Sequence, residues 1–215
     1  MKNKVVLPSV YAGPVQWYSK LLLYDEIFID EQEHYRKQTW RNRARIIAAN
    51  GILDLAVPVH APNHTPVKDV TINYSEDWQR QHWQSIRSAY GKSAFFEFYA
   101  DYFSPFYENK KYEKLAELNN EMLKTILKLL KIQKEIKYTA EFIASYENAD
   151  DMREFISPKS DFSKDKNFHP AKYIQAFEER HGFKPNLSII DLLCCAGPQA
   201  AGMLATKTRR NEENN

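Results

Sequence analysis

Glu33, His34, Lys37, Arg41, Asn42 and Arg43 crowd into a short segment just past the chain's second apolar run. Arginine offers a planar fork of donors suited to phosphate or carboxylate, and Lys37 is a point charge for the same task. Asn42 can fix an amide or a sugar hydroxyl. Ser9, where the first apolar run ends, and Tyr90, shortly after His82-Trp83, complete the set. If two or three of these side chains converge, they bind a small anionic substrate, such as a phosphorylated or nucleotide-linked one. His34 and His82 are the candidate general bases, because imidazole carries a proton near neutral pH. The competing reading is a solvated charge run with surface ion pairs. Against it stand a strand end before the cluster and a hairpin after it, where side chains are usually held.

Other chemistry lacks its parts. The chain has no Gly-x-Gly-x-x-Gly, no Gly-x-x-x-x-Gly-Lys-Ser/Thr and no Gly-x-Ser-x-Gly. His60 and His64 are spaced by four, but no third ligand follows at a convincing interval, so no metal is expected. Cys194 and Cys195 are adjacent and sit in an apolar run. Vicinal cysteines make strained disulfides, and apolar surroundings raise a thiol pKa, so reduced and unreactive thiols are expected. No protein nucleophile accompanies the histidines, and no cofactor is called for. Direct transfer between two bound substrates fits this inventory better than a covalent intermediate. Asp191, inside the same apolar run, needs donors and reads as structural. Trp17 and Tyr18 read as packing residues rather than a stacking platform.

The elements that must position these residues are legible in outline. Lys4 to Leu7 form a short buried strand. Pro14 opens a helix whose stripe is Val15, Tyr18, Leu21 and Leu22. Ile27 to Asp30 form a second strand, so a parallel pair with a right-handed crossover is expected. Ligand loops of parallel sheets lie at the carboxyl ends of the strands, which places Pro8-Ser9 and Asp30 to His34 on one edge. Asn50-Gly51 between two apolar runs predicts a hairpin. A strand is expected within 67–73, helices over 77–89 and 112–130, a short strand near 137–142, a helix over 170–181 and a last helix capped by Ser188. The stretch 93–107 is dense in Phe and Tyr and broken by Pro105. A boundary is suggested near Asn148–Asp150. The overall expectation is an α/β fold: a small parallel or mixed sheet with flanking helices and a helix-rich C-terminal half. It forms one domain over 1–205, with a polar tail over 206–215.

The totals bound the function. The 215 residues carry a net charge of +2, with 43% hydrophobic and 27% charged residues, as in an ordinary globular chain. No basic stripe suggests nucleic acid. No apolar stretch of about 18 residues suggests a membrane span, and no secretory leader is read at the start, so a cytoplasmic protein is expected. Thirteen Tyr, twelve Phe and four Trp are many, which suits a core, a pocket, a protein partner or a homo-oligomer interface.

Longer motifs carry a resemblance. Leu7 to Lys20 (LPSVYAGPVQWYSK) is similar to the opening of the WbqC-like protein family. So are Asp25 to Asp30 (DEIFID), His34, Lys37-Gln38-Thr39, Arg41-Asn42-Arg43, Gly51 and Val57-Pro58-Val59. Trp78, His82-Trp83, Ser85-Ile86 and Ser88-Ala89-Tyr90 continue the likeness. Gly182-Phe183 and Asn186 to Leu193 resemble the end of its Bacteroidetes-type branch. Some members of that bacterial family are encoded among genes for O-antigen and other surface polysaccharides. The resemblance therefore implies a transferase acting on a nucleotide-activated sugar, moving an acyl or aminoacyl group to a sugar amine. The alternative is a non-catalytic binding or assembly protein in a surface-glycan pathway, with Phe95 to Tyr107 as its partner surface. Many relatives begin His-Gln-Pro where this chain has Val6-Leu7-Pro8, so any catalytic role of that histidine falls here to His34 or His82, or the activity differs. Under the transferase reading, replacing Arg41 by Ala is expected to remove ligand binding while sparing the unliganded fold.

Overall fold

The computed structural model describes residues 3–108 and 112–205; the tail expected over 206–215 lies outside them. Strand β1 (Lys4–Pro8) leads through a loop into helix α1 (Val15–Leu23) and back into β2 (Glu26–Asp30). The two strands are parallel, with Lys4 opposite Glu26 and Pro8 opposite Asp30. Alternation makes the unit: Val5, Leu7, Ile27 and Ile29 share one fully buried face. The Trp17 indole N–H donates to the Pro8 carbonyl at 3.0 Å and ties α1 to the strand end.

Strands β3 (Arg43–Ala48) and β4 (Gly51–Ala56) form the expected antiparallel hairpin. Gly51 takes φ of +109°, a conformation that favours glycine in this turn. Strands β5 (Val59–His60) and β6 (Thr71–Ile72) pair briefly. Between them Val67–Asp69 is a 3-10 turn, so the strand expected within 67–73 shrinks to two residues. The Val67 and Lys68 N–H groups donate instead to the carbonyls of Glu33 and Glu31, which fastens the turn to the segment after β2.

Five helices and two strands follow before the C-terminal end: α2 (Trp78–Tyr90), α3 (Phe96–Phe103), α4 (Pro105–Glu108), α5 (Leu115–Leu130), β7 (Ile136–Tyr138), β8 (Asp150–Asp151) and α6 (Glu178–His181). The last two helices are α7 (Ile189–Ala196) and α8 (Ala200–Leu204). The main sheet runs β7-β2-β1-β8, and every pair in it is parallel. This is an α/β fold with a small parallel sheet, flanking helices and a helix-rich C-terminal region.

Two expectations need correction. Asn148–Asp150 is no boundary: Ala149 is buried and Asp150–Asp151 pairs with β1, covering its otherwise open edge. The helix expected over 170–181 survives only as α6. The reason lies in Gln175, whose side chain accepts from the Lys184 N–H and donates to the Lys184 carbonyl. That bonding ties Gln175 to the chain nine residues on and leaves 171–175 non-helical, and after a turn at Ala176 the backbone of Phe177 enters the left-handed region before α6 starts.

Most of the buried apolar side chains form one contiguous cluster that includes both faces of the 187–196 run. Ser188 caps α7 by accepting from the Ile190 N–H at 3.3 Å, as its sequence position suggests. Its own hydroxyl donates to the Ala12 carbonyl at 2.6 Å. Cys194 and Cys195 are free, and burial pushes both thiols up, Cys195 to about 12. Among the described residues no helix is long and apolar enough to cross a membrane.

Candidate active site at the carboxyl edge of the sheet

Asp30, the last residue of β2, is fully buried at the carboxyl edge. Its Oδ1 accepts from the Gln32 and Glu33 N–H groups (2.9 and 3.2 Å) and from the Thr139 hydroxyl (2.8 Å). Its Oδ2 accepts from Arg153 Nη1 at 2.6 Å. Arg153 also donates to Asp151 and to the Ile143 and Ala144 carbonyls, so one guanidinium staples the loop after β7 onto the ends of β2 and β8. Hydrogen bonds to Asp151 hold Arg153 firmly charged. Burial works against the Asp151 charge, yet the Arg153 contacts outweigh it and hold that carboxyl below its usual range.

Glu33 and Arg41 form a second buried pair beside it. Arg41 Nε and Nη2 donate to the two Glu33 oxygens at 2.9 and 2.6 Å. Burial lifts the Glu33 carboxyl above its usual range, although Arg41 pulls the other way. The Arg41 carbonyl accepts from Asn119 Nδ2 at 2.9 Å, and the same amide donates to Ser9 Oγ at 3.1 Å. Ser9, Glu33 and Arg41 therefore meet at the strand ends, as their positions suggest. Arg41 meets Glu33 there with the fork that was expected to take a ligand.

A cavity of about 310 Å³ opens over these pairs, lined by Glu33, His34, Arg36, Phe142, Arg153 and Glu154 among others. The exposed His34 ring stacks on Phe142 (centroids 5.9 Å, planes 7° apart) and meets His64 edge-on at 5.1 Å. Arg36 and Glu154 form an ion pair at the mouth, each about 60% exposed. Lys37 is exposed on the same turn, and Gln38 beside it takes φ of +60°.

The remaining candidates stand elsewhere. Asn42 donates to the Val57 carbonyl at 2.8 Å and leaves its Oδ1 buried without a partner among the described residues. Arg43 sits opposite Ala56 in the hairpin, its Nε likewise buried and unpartnered. His82 is buried on α2. Its Nδ1 is 3.0 Å from the Tyr11 hydroxyl, which is 2.9 Å from that of Tyr107, and its ring also bonds the Ala56 backbone. Burial pushes the imidazole down to about 4, so it is neutral at physiological pH. Tyr90 lies against Asp191, whose Oδ2 accepts from Tyr173 and Gln175 while its Oδ1 is buried without a hydrogen-bond partner among the described residues.

Sequence reasoning passed over Arg153, Asp151, Phe142 and Asn119. The available signal was Asp151-Met152-Arg153-Glu154, whose charges look solvated in one dimension. Among the described residues no group of three or more His, Cys, Asp or Glu side chains is placed to hold a metal ion.

Comparison with known proteins follows this geometry closely in extent. The model of the WbqC-like protein family matches residues 9–157, from Ser9 past Arg153. Among curated proteins, "Uncharacterized protein Rv1507c" of Mycobacterium tuberculosis (strain ATCC 25618 / H37Rv) is 29% identical over 134 residues, covering 61% of this chain. The chain spans 58% of that relative's length. No solved structure matches. With the family model covering well over half of its length, the chain belongs to the WbqC-like protein family.

Proposed function

We propose that the cavity at the carboxyl edge binds a nucleotide-activated sugar, and that the protein transfers an acyl or aminoacyl group onto that sugar in surface-polysaccharide synthesis. The observation that carries this reading is the make-up of the 310 Å³ cavity: paired carboxylates and guanidinium groups around one stacked His34–Phe142 face. Every arginine there already has a carboxylate, so a bare anion gains little. A sugar both donates and accepts through its hydroxyls, and its apolar face fits an aromatic ring. The phosphate end suits the mouth, where the exposed Arg36–Glu154 pair exchanges at low cost and Lys37 adds a charge. Of the two histidines, His34 takes the proton from the attacking amine or hydroxyl as it bonds the acyl carbon, and returns it to the group that leaves the acyl donor. His82 is buried against Tyr11, outside the lining of this cavity. The run from Asn186 to Leu193 supports a Bacteroidetes-type member of the family. Phe98 and Tyr102, exposed on an otherwise buried aromatic segment, favour as a second reading a non-catalytic role in the same pathway.

Thermal melting with UDP- and dTDP-linked sugars separates these readings. A ligand at about 100 times its Kd adds roughly 2.7 kcal/mol. Replacing His34 or Arg36 by Ala should abolish that gain with the unliganded melting point unchanged. Arg41→Ala, contrary to the expectation from sequence, should lower the unliganded stability by about 3–5 kcal/mol, because it strands the buried Glu33 charge. No shift across a broad panel of nucleotides, sugar nucleotides and acyl donors would reject the transferase.

A further inference from the structure

A second and larger cavity, about 790 Å³, lies apart from this cleft between the α2–α3 turn and the wall over 174–177. We propose that it binds a single-chain amphiphile with an anionic headgroup. Its volume falls in the range of sites for small ligands, roughly 300–1,000 Å³. Phe95, Ala176 and Phe177 make the walls apolar, while Arg87 and Lys92 stand at the mouth. No acidic residue lines it. Arg87 and Lys92 make no ion pair or side-chain hydrogen bond among the described residues, although Glu97 shares a neighbouring hollow with Arg87.

Both walls are fixed without a ligand. The Phe95 N–H donates to the Cys194 carbonyl at 3.1 Å, and its ring packs so closely on Gly197 that a Cβ there would lie 2.4 Å away. Gln175, nearly fully buried, holds the opposite wall through Lys184 and Asp191. Ile174, itself part of the lining, is 86% exposed, and Phe98, whose ring centroid is 6.3 Å from that of Phe95, extends the apolar surface beyond the cavity at 71% exposed. A bare phosphate or a nucleotide leaves the apolar walls unmatched. A neutral apolar molecule leaves two cations unused. An alkyl chain in the cavity with its charge at the mouth satisfies both, since opposite charges across a rim attract and orient the ligand.

A fatty carboxylate and an alkyl phosphate share this chemistry. The test is calorimetric titration of the full chain with decanoate, decyl phosphate and decyltrimethylammonium, all below their aggregation concentrations. One anion should bind per chain, the cation at least tenfold more weakly, and the tighter anion identifies the headgroup. The double variant Arg87→Glu with Lys92→Glu, both at exposed positions, should reverse the preference. Ala94→Trp, at the exposed rim, should block both anions. Absence of saturable binding, equal affinity for the cation, or charge-reversed protein that still prefers anions would overturn the site. If Ala94→Trp fails to fold, the charge reversal alone decides.

Discussion

His82 shows how burial sets what one side chain can do. Unfolded, its imidazole takes a proton near pH 6.5; folded, the loss of water around it delays that to about 4. Between these values the unfolded chain holds the extra proton, so acidification favours unfolding. The stabilising effect is complete above pH 6.5 and fades as the pH falls towards 4. At pH 4.5, wild type should have lost about 2.5 kcal/mol more than His82→Gln, relative to each protein's own stability at pH 7. Urea melts of the two at pH 7, 5.5 and 4.5 measure it, and parallel profiles would reject it. At this scale the sequence located Glu33 and Arg41 but not their pairing with each other. Nothing in a one-dimensional spacing of eight says that a fork of donors turns back onto its own chain.

Among elements, the start of α7 carries more than its own helix. Ser188 caps it, donates to the Ala12 carbonyl, and sends its N–H to the Arg45 carbonyl at 2.7 Å. Losing an N-cap costs typically about 1 kcal/mol, and leaving a buried carbonyl unpaired adds to it. Ser188→Ala should therefore lower stability by about 2 kcal/mol in urea melts; a change under about 0.5 kcal/mol would show the cap to be idle. Elements governed by local rules were readable: the β1–α1–β2 unit from alternation and a Pro14 start, the hairpin from Asn50-Gly51, α5 from its stripe. Those governed by distant partners were not. β8 is two acidic residues that become a strand only because β1 has a free edge. The 170–177 stretch has helical composition, but Gln175 is bonded instead to Lys184, nine residues away.

For the whole molecule, the boundary of the family match and the boundary of the packed core differ. The match ends at residue 157, whereas Leu187, Ile189, Ile190, Leu192 and Leu193 are buried in the same cluster as β1 and α1. A protein ended after residue 157 should give no cooperative thermal transition, read by near-ultraviolet circular dichroism. A sharp transition in that fragment would show the C-terminal part to be dispensable. The Ser188–Ala12 hydrogen bond spans 176 residues, and Val15 and Gly13 bond Leu187 and Ile189 beside it. On a ribosome adding roughly 5–20 residues per second, the N-terminal loop waits about 9–35 seconds for its partner. During that interval the nascent chain carries the first strand and helix unsealed, so a cell making this protein must shield them from aggregation until the segment around Ser188 emerges.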